Sequence, residues 1–417
     1  MHSRETKVFA EAWKNYRNIL CVRPDNMGDV LMSQPAMRAL KESVPGRKIT
    51  LLTSTAGAYI APFIPEVDET IPFDVPWVKT TETNGAQQLL ALASELQALQ
   101  FDAAVIFTVY SQNPLPAGML CYLAGIKTVL GYCRENPYQL INQWVPDREP
   151  LDYVVHEVER QLRLVEMTGA ETSDTRLLLK IQEETRKEAA DRIWDILNAA
   201  GIRAGMRWLV LHAGVSEEKR LYPASDYVTA CQSLVRQGYK ILLTGSGSER
   251  SYVDQVARQL GAAAVNLAGE LSIAELILLI EAAPVLVSNN TGPVHIAAAV
   301  GTPVVVLYAM TNPQHTPWQV PSKVLYFEVL PELRTKNRLL QSFPGVSTPK
   351  ASPEAIVAAV SEIVSPLRKR KLTSITRGLT RNPVRICNSI PDIALAAYST
   401  RHNEFGMCPP DRYGEDI

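Results

Sequence analysis

Neither sign of charge dominates this sequence: 42 Lys and Arg stand against 43 Asp and Glu, a formal net charge of -1. A chain so balanced has no overall field for a polyanion, and nucleic acid is not an expected partner unless a local basic patch supplies one. Long apolar runs are missing too; none approaches the ~20 residues a membrane-crossing helix needs. The first residues, MHSRETKVFAEAWKNYR, lack the uninterrupted apolar core of a secretion signal, so a soluble cytoplasmic protein is expected. Six cysteines (Cys21, Cys121, Cys133, Cys231, Cys387, Cys408) lie scattered with no CxxC pair. That pattern argues for reduced thiols and against a disulfide framework or a zinc site. Several catalytic signatures are absent as well: no GxxxxGK[ST] loop, no HExxH, and no DxD pair to clamp a diphosphate through a metal. Thr244–Arg250 begins like GxGxxG but has Arg250 where the third glycine belongs, so the dinucleotide fingerprint fails. A metal-free reaction without a resident cofactor is the expectation.

What remains is globular: 417 residues, 46% apolar and 20% charged, a length that predicts two domains at ~150 residues each. Residues 18–23 (NILCVR) run straight into PDNMGD and then a helical pattern from Val30 to about Ser43. Strands at 48–53 and 102–107 follow, with a short helix near 56–62 and a longer one at about 85–100. Residues 151–205 read as mostly helical, with a polar break at Glu171–Thr175. The rhythm then restarts: strands at 207–212, 239–244, 284–288 and 303–307 alternate with helices at 224–237, 249–260, 272–282 and 292–300. Such alternation predicts an α/β fold with parallel sheets. The expected division is a helical extension over 1–17, an α/β domain over 18–175, a helical linker over 176–205, a second α/β domain over 206–365 and a tail over 366–417. The tail holds PLRKRKLTSITRGLTRNPVR, with seven basic residues and no acidic one. It reads as solvated chain, the alternative being contact with anionic lipid headgroups.

In open parallel sheets, ligands collect beyond the carboxyl ends of the strands. Three loops there are chemically unusual. Pro24–Asp29 places Asn26 and Gly28 in a tight turn and Asp29 at the start of the next helix, where it serves either as a helix cap or as a carboxylate base. His212–Arg220 carries Lys219 and Arg220, two cations suited to phosphate or simply to a solvated face. Ser288–His295 holds Asn290, Thr291, Gly292 and His295 and opens the small-residue helix IAAAVG. The free N–H groups at such a helix start favour an anion, whereas His295 could merely bond a neighbouring carbonyl.

Taken in order, RPDNMGDVLMSQPA, HEVERQLRLVEMTG, HAGVSEEKRLYP, LTGSGSE, NLAGELSIAEL and SNNTGPVHIAAAVGTPVVVLY resemble the glycosyltransferase family 9 heptosyltransferases of lipopolysaccharide core synthesis. The likeness runs from about Asn18 to Pro317. It implies a GT-B fold, two Rossmann-like domains facing across a cleft, with the acceptor on the first and the nucleotide-sugar on the second. It also implies a C-terminal helix that returns to the first domain, for which Pro353–Val364 is the candidate. By resemblance Asp29 matches the base, Lys219 the phosphate-contacting lysine, and Thr291 and Gly292 the donors to the diphosphate. Glu249 falls near the ribose position, Leu271 near the adenine pocket, and His295 ends the D-[ST]-G-x-x-H-type motif. Asn290 departs from the pattern, standing where the family usually has Asp.

A nucleotide-sugar carries a good leaving group, so one carboxylate suffices where glycoside hydrolysis uses two. The expected reaction is inverting transfer: Asp29 takes the acceptor hydroxyl's proton while Lys219, Arg220 and the 291–292 helix start stabilise the departing diphosphate. The expected partners are a nucleotide-diphospho-sugar donor and a lipid-linked or polysaccharide acceptor. Peripheral membrane contact is expected, with Val8–Tyr16 either lying on the interface or packing as a helix on the first domain. Two alternatives stay open: another nucleotide-sugar as donor, consistent with Asn290, and a catalytically silent sugar-nucleotide-binding protein.

Overall fold

Strand formers such as Ile19, Leu20, Cys21 and Val22 are buried without interruption along β1 (Asn18–Arg23), the signature of a strand covered on both faces. A computed structural model describes residues 9–78, 84–215, 221–309, 313–327 and 350–365. Around β1 lie β2 (Lys48–Thr53), β3 (Glu69–Pro72), β4 (Ala103–Ile106), β5 (Val129–Cys133) and β6 (Gln143–Pro146). Every pairing is parallel and the order is β3-β2-β1-β4-β5-β6.

The second sheet repeats this plan with β7 (Arg207–His212), β8 (Tyr239–Thr244), β9 (Ala264–Asn266), β10 (Leu286–Asn289), β11 (Val304–Ala309) and β12 (Ser322–Phe327). Its order is β12-β11-β10-β7-β8-β9, again all parallel. Each sheet therefore changes direction between its first and fourth strands, β1/β4 and β7/β10, the crevice where doubly wound folds bind ligands. The loops after β1 and β10, singled out from the sequence, sit at these two switch points.

Three packing facts join the lobes. Helix Met27–Ser43 packs on helix Glu157–Glu166 within the first lobe and on helix Gly292–Val300 of the second. Helix Glu183–Ala199 packs on helix Ile273–Ala282, with Arg186 paired to Glu281 at 2.8 Å. Met32, Val158, Leu177 and Ala298 then form a small apolar cluster drawn from both lobes.

One expectation changes. Helix Pro353–Val364 does not return to the first lobe; it packs against helix Ala224–Arg236 and beside β11 and β12. The reason is apolar complementarity: Ile356, Ala359, Val360 and Ile363 share a core with Leu209, Leu211, Tyr222 and Tyr227. Of the two alternatives for the segment before β1, its described residues follow the packed one, with Phe9 and Tyr16 against the core. Trp13 is buried, its indole N–H donating to Gln143 at 2.6 Å, and Tyr16 bonds Thr128 at 3.1 Å. The 366–417 tail and residues 1–8 lie outside the described residues.

Candidate active site

The chain leaves β1 at Arg23 and turns through Pro24, Asp25 and Asn26 into the helix that starts at Met27. Asn26 occupies the cap position but makes no side-chain capping bond, and Asp29 lies in the first helical turn. Asp29 is therefore not the cap. Its side chain is 20% exposed and points to Arg23, whose guanidinium is wholly buried.

Arg23 organises the site. Its Nε lies 3.1 Å from Asp25, and one terminal nitrogen lies 3.3 Å from Asp29 and 2.9 Å from Glu157. Burial opposes the arginine's charge, but Asp25, Glu157 and Asp29 outweigh it and hold its pKa above the ordinary value. Burial pushes Asp25 up to about 6 against the pull of Arg23, and it raises Glu157 as well. Gln112 donates to Asp25, and Gln161 donates to Glu157 at 2.6 Å. Behind this group Arg160 binds Asp147 at 2.9 Å and Glu149 at 2.6 Å.

The second lobe meets this site head-on. A Cβ placed on Gly28 would stand 2.7 Å from His295 Cδ2, and one placed on Gly292 would stand 3.3 Å from Met27 Sδ. The starts of the 27–43 and 292–300 helices thus abut, and at Gly28 the approach leaves no room for a side chain. Thr291 is the cap of the latter without a side-chain capping bond; its hydroxyl bonds the Asn289 carbonyl at 3.3 Å. His295 is buried, and burial drives it down to about 3, so it is neutral. Asn290 is half-buried, and its side-chain oxygen is enclosed with no hydrogen-bond partner.

A strap after β11 closes one side. The Gln314 amide donates to Glu149 at 2.9 Å and to the Val155 carbonyl at 3.0 Å. His156 Nε2 donates to the Thr316 carbonyl at 2.8 Å, and Trp318 donates to the Thr175 carbonyl at 2.7 Å. Because His156 Nδ1 also accepts from Val158 N–H, this ring is neutral, in keeping with burial driving it down to about 4. Between these anchors His315 Nε2 stands 3.8 Å from Asp29 and 3.9 Å from Glu157.

The profile of glycosyltransferase family 9 (heptosyltransferase) matches residues 89–339. The chain belongs to glycosyltransferase family 9. Lipopolysaccharide heptosyltransferase 2 of Escherichia coli (strain K12) is 27% identical over 317 residues, 72% of this chain and 84% of that protein. Among solved structures, a family 9 glycosyltransferase from Veillonella parvula superposes with a TM-score of 0.66 at 20% identity, covering 84% of this chain and 98% of that one. The Escherichia coli ADP-heptose lipopolysaccharide heptosyltransferase II gives 0.62 at 21%, covering 84% and 99%. The paired sheets are the GT-B architecture those structures share.

In this glycosyltransferase the expected residues divide into three groups. Asn26, Gly28, Asp29, Asn290, Thr291, Gly292 and His295 gather where the two helix starts meet. Glu249 and Leu271 lie farther along the second lobe. Glu249 caps its own turn, accepting from Ser246 N–H at 2.6 Å, and its carboxyl fills the space over Gly214 at the end of β7. Leu271 is half-buried against the core before helix Ile273–Ala282. Lys219 and Arg220 lie outside the described residues.

Sequence reading missed Arg23, Glu157 and His315. A signal existed for Arg23, a charge closing an apolar strand, and for Glu157, the first residue of a helix. For His315 there was none.

Proposed function

We propose that this protein is an inverting, metal-independent glycosyltransferase that moves a heptose-like sugar from a nucleotide-diphospho-sugar to a lipopolysaccharide or related glycolipid acceptor. One observation carries the reading: the first turn bearing Asp29 meets the start of the 292–300 helix, with Gly28 lying against His295 and Gly292 against Met27. The free N–H groups at the start of the 292–300 helix favour an anion beside it. A departing diphosphate is the anion that matches it. Met27, standing over Gly292, is unbranched and can shift as the donor enters.

The chemistry follows from the parts. Preorganised donors to a leaving group are worth ~3 kcal/mol each, and backbone amides at residues 291–292, with Lys219 and Arg220 by resemblance, are the candidates here. Asp29 would remove the acceptor proton, a task worth about 10²–10⁴-fold. Arg23, 3.3 Å away, holds its carboxylate in place. Attack from the face opposite the diphosphate inverts the anomeric carbon. No step runs through a metal or cofactor. The relatives' names support an ADP-heptose donor and a lipopolysaccharide core acceptor, and a cytoplasmic protein working at the inner face of a membrane fits such an acceptor. Among the described residues no helix is long and apolar enough to cross one.

Asn290 favours a second reading of the donor. Its buried side-chain oxygen lacks a partner, a state costing about 1–3 kcal/mol until a hydroxyl supplies one. An amide offers a sugar both a donor and an acceptor, where a carboxylate only accepts, so the preferred sugar can differ from heptose. Thermal shift with a panel of ADP-, GDP- and UDP-sugars, followed by transfer to a truncated lipopolysaccharide core, tests both readings. A shift and product with ADP-heptose support the first; a shift and transfer confined to another sugar support the second. No shift and no transfer with any of them would leave the silent binding protein in their place.

A further inference from the structure

We propose that His315 is a positioning residue for Asp29: delivered by the second lobe, its imidazolium stands between Asp29 and Glu157 and holds the base by charge. The inference rests on the assignment of Asp29 as the base.

Three observations carry it. The first is charge balance. Asp25, Asp29 and Glu157 converge on the single guanidinium of Arg23, while neighbouring Arg160 is committed to Asp147 and Glu149. Arg160 also acts on Glu157 through its charge, and His315 is placed to add positive charge beside Asp29 and Glu157. The second is distance. At 3.8 and 3.9 Å the ring nitrogen is beyond hydrogen-bond reach of both carboxylates, so its effect on them is coulombic and depends on its protonation. The third is anchorage: Gln314 and Thr316, its neighbours on either side, both bond the first lobe. The strap thus fixes His315 in place through the residues that flank it.

The titratable groups facing His315 among the described residues come from four elements. Asp29 lies on the 27–43 helix, Glu157 and His156 lie at the start of the 157–166 helix, His295 lies on the 292–300 helix, and Arg23 at the end of β1 lies behind the carboxylates. His156 and His295 are held neutral by burial, so among these groups the balance is set by Arg23, the carboxylates and His315. Because His315 belongs to the second lobe and Asp29 to the first, the base is fully held only with the lobes packed together.

The test uses the full chain, with turnover measured on ADP-heptose and truncated lipopolysaccharide core, or on whichever panel sugar is transferred. His315→Gln should lower kcat on the order of tenfold or more, leave the donor KM within about twofold, and move the acidic limb of the kcat–pH profile up by about one unit. His315→Lys, which keeps the charge, should recover most of both. Independently of turnover, the NMR titration midpoint of the His315 ring should fall in Asp29→Asn, and this readout decides should His315→Gln fail to fold. An unchanged kcat and acidic limb in His315→Gln, or an unmoved His315 midpoint in Asp29→Asn, overturns the inference. Asp29→Asn separates the two levels: loss of turnover there with a normal His315→Gln sinks this inference alone, whereas full turnover in Asp29→Asn removes the base assignment and the inference with it.

Discussion

Replacing Gly28 with alanine tests the lobe contact at its tightest point. The added methyl would stand 2.7 Å from His295 Cδ2 and 3.3 Å from its Nε2, inside any normal carbon contact. His295 cannot swing aside freely, since it is buried on a helix that is itself buried along most of one face. Overpacking of this kind costs about 1–3 kcal/mol. Asp29 is the next residue, so a displacement approaching 1 Å also carries the base off its line and costs about 10²-fold in kcat. Urea denaturation and steady-state transfer are the assays. A double-mutant cycle sharpens the argument: His295→Ala removes the obstruction and leaves space that the methyl added at position 28 partly fills. The two changes should therefore be non-additive in stability by about 1 kcal/mol or more. Gly28→Ala with wild-type stability and turnover, or additive effects within about 0.3–0.5 kcal/mol, would refute the helix-start contact.

Arg23→Met leaves Asp25, Asp29 and Glu157 facing one another without their shared cation, and should cost about 3–5 kcal/mol in urea denaturation; a loss under about 1 kcal/mol contradicts the network. The buried imidazoles fix an acid limit. His156 and His295 sit near 4 and 3 when folded against 6.5 when unfolded, so the unfolded chain binds the extra protons. Their stabilisation is complete above pH 6.5 and is lost as pH falls from there toward 4 and 3, at about 1.4 kcal/mol per pH unit for each ring. Thermal melts from about pH 7 to 5 should show a slope that His156→Gln reduces. Trp13→Ala should cost about 3–5 kcal/mol without changing binding to anionic vesicles, because the indole is buried against Gln143; weakened vesicle binding would return Trp13 to a membrane interface.

Much of the fold was legible because long, fully buried parallel strands are apolar runs. β1, β2, β7 and β8 each span six residues, and each ends at a loop of turn-forming or chemically marked residues. Short edge strands were not legible: β3 and β6 have four residues, both include proline, and they are only partly buried. Helix Leu115–Leu123 was hidden because prolines and a glycine interrupt its pattern. The resemblance led to Asp29 and the 290–295 loop, but the arginine that fixes Asp29 was read only as the end of a strand. Glu157 opens the helix at 157–166 and meets Arg23 only through tertiary packing. His315 comes from the other lobe, nearly three hundred residues along the chain, a proximity no local pattern encodes. The returning C-terminal helix failed for a related reason: its apolar face found a partner in the second lobe's own core.

The most direct measurement is the pairing of donor affinity with turnover in Asp29→Asn. Titration calorimetry with the donor and single-turnover transfer to the acceptor should give a nearly unchanged Kd and a rate lower by about 10²–10⁴-fold. An Asp29→Asn protein that transfers sugar at the wild-type rate would contradict the account.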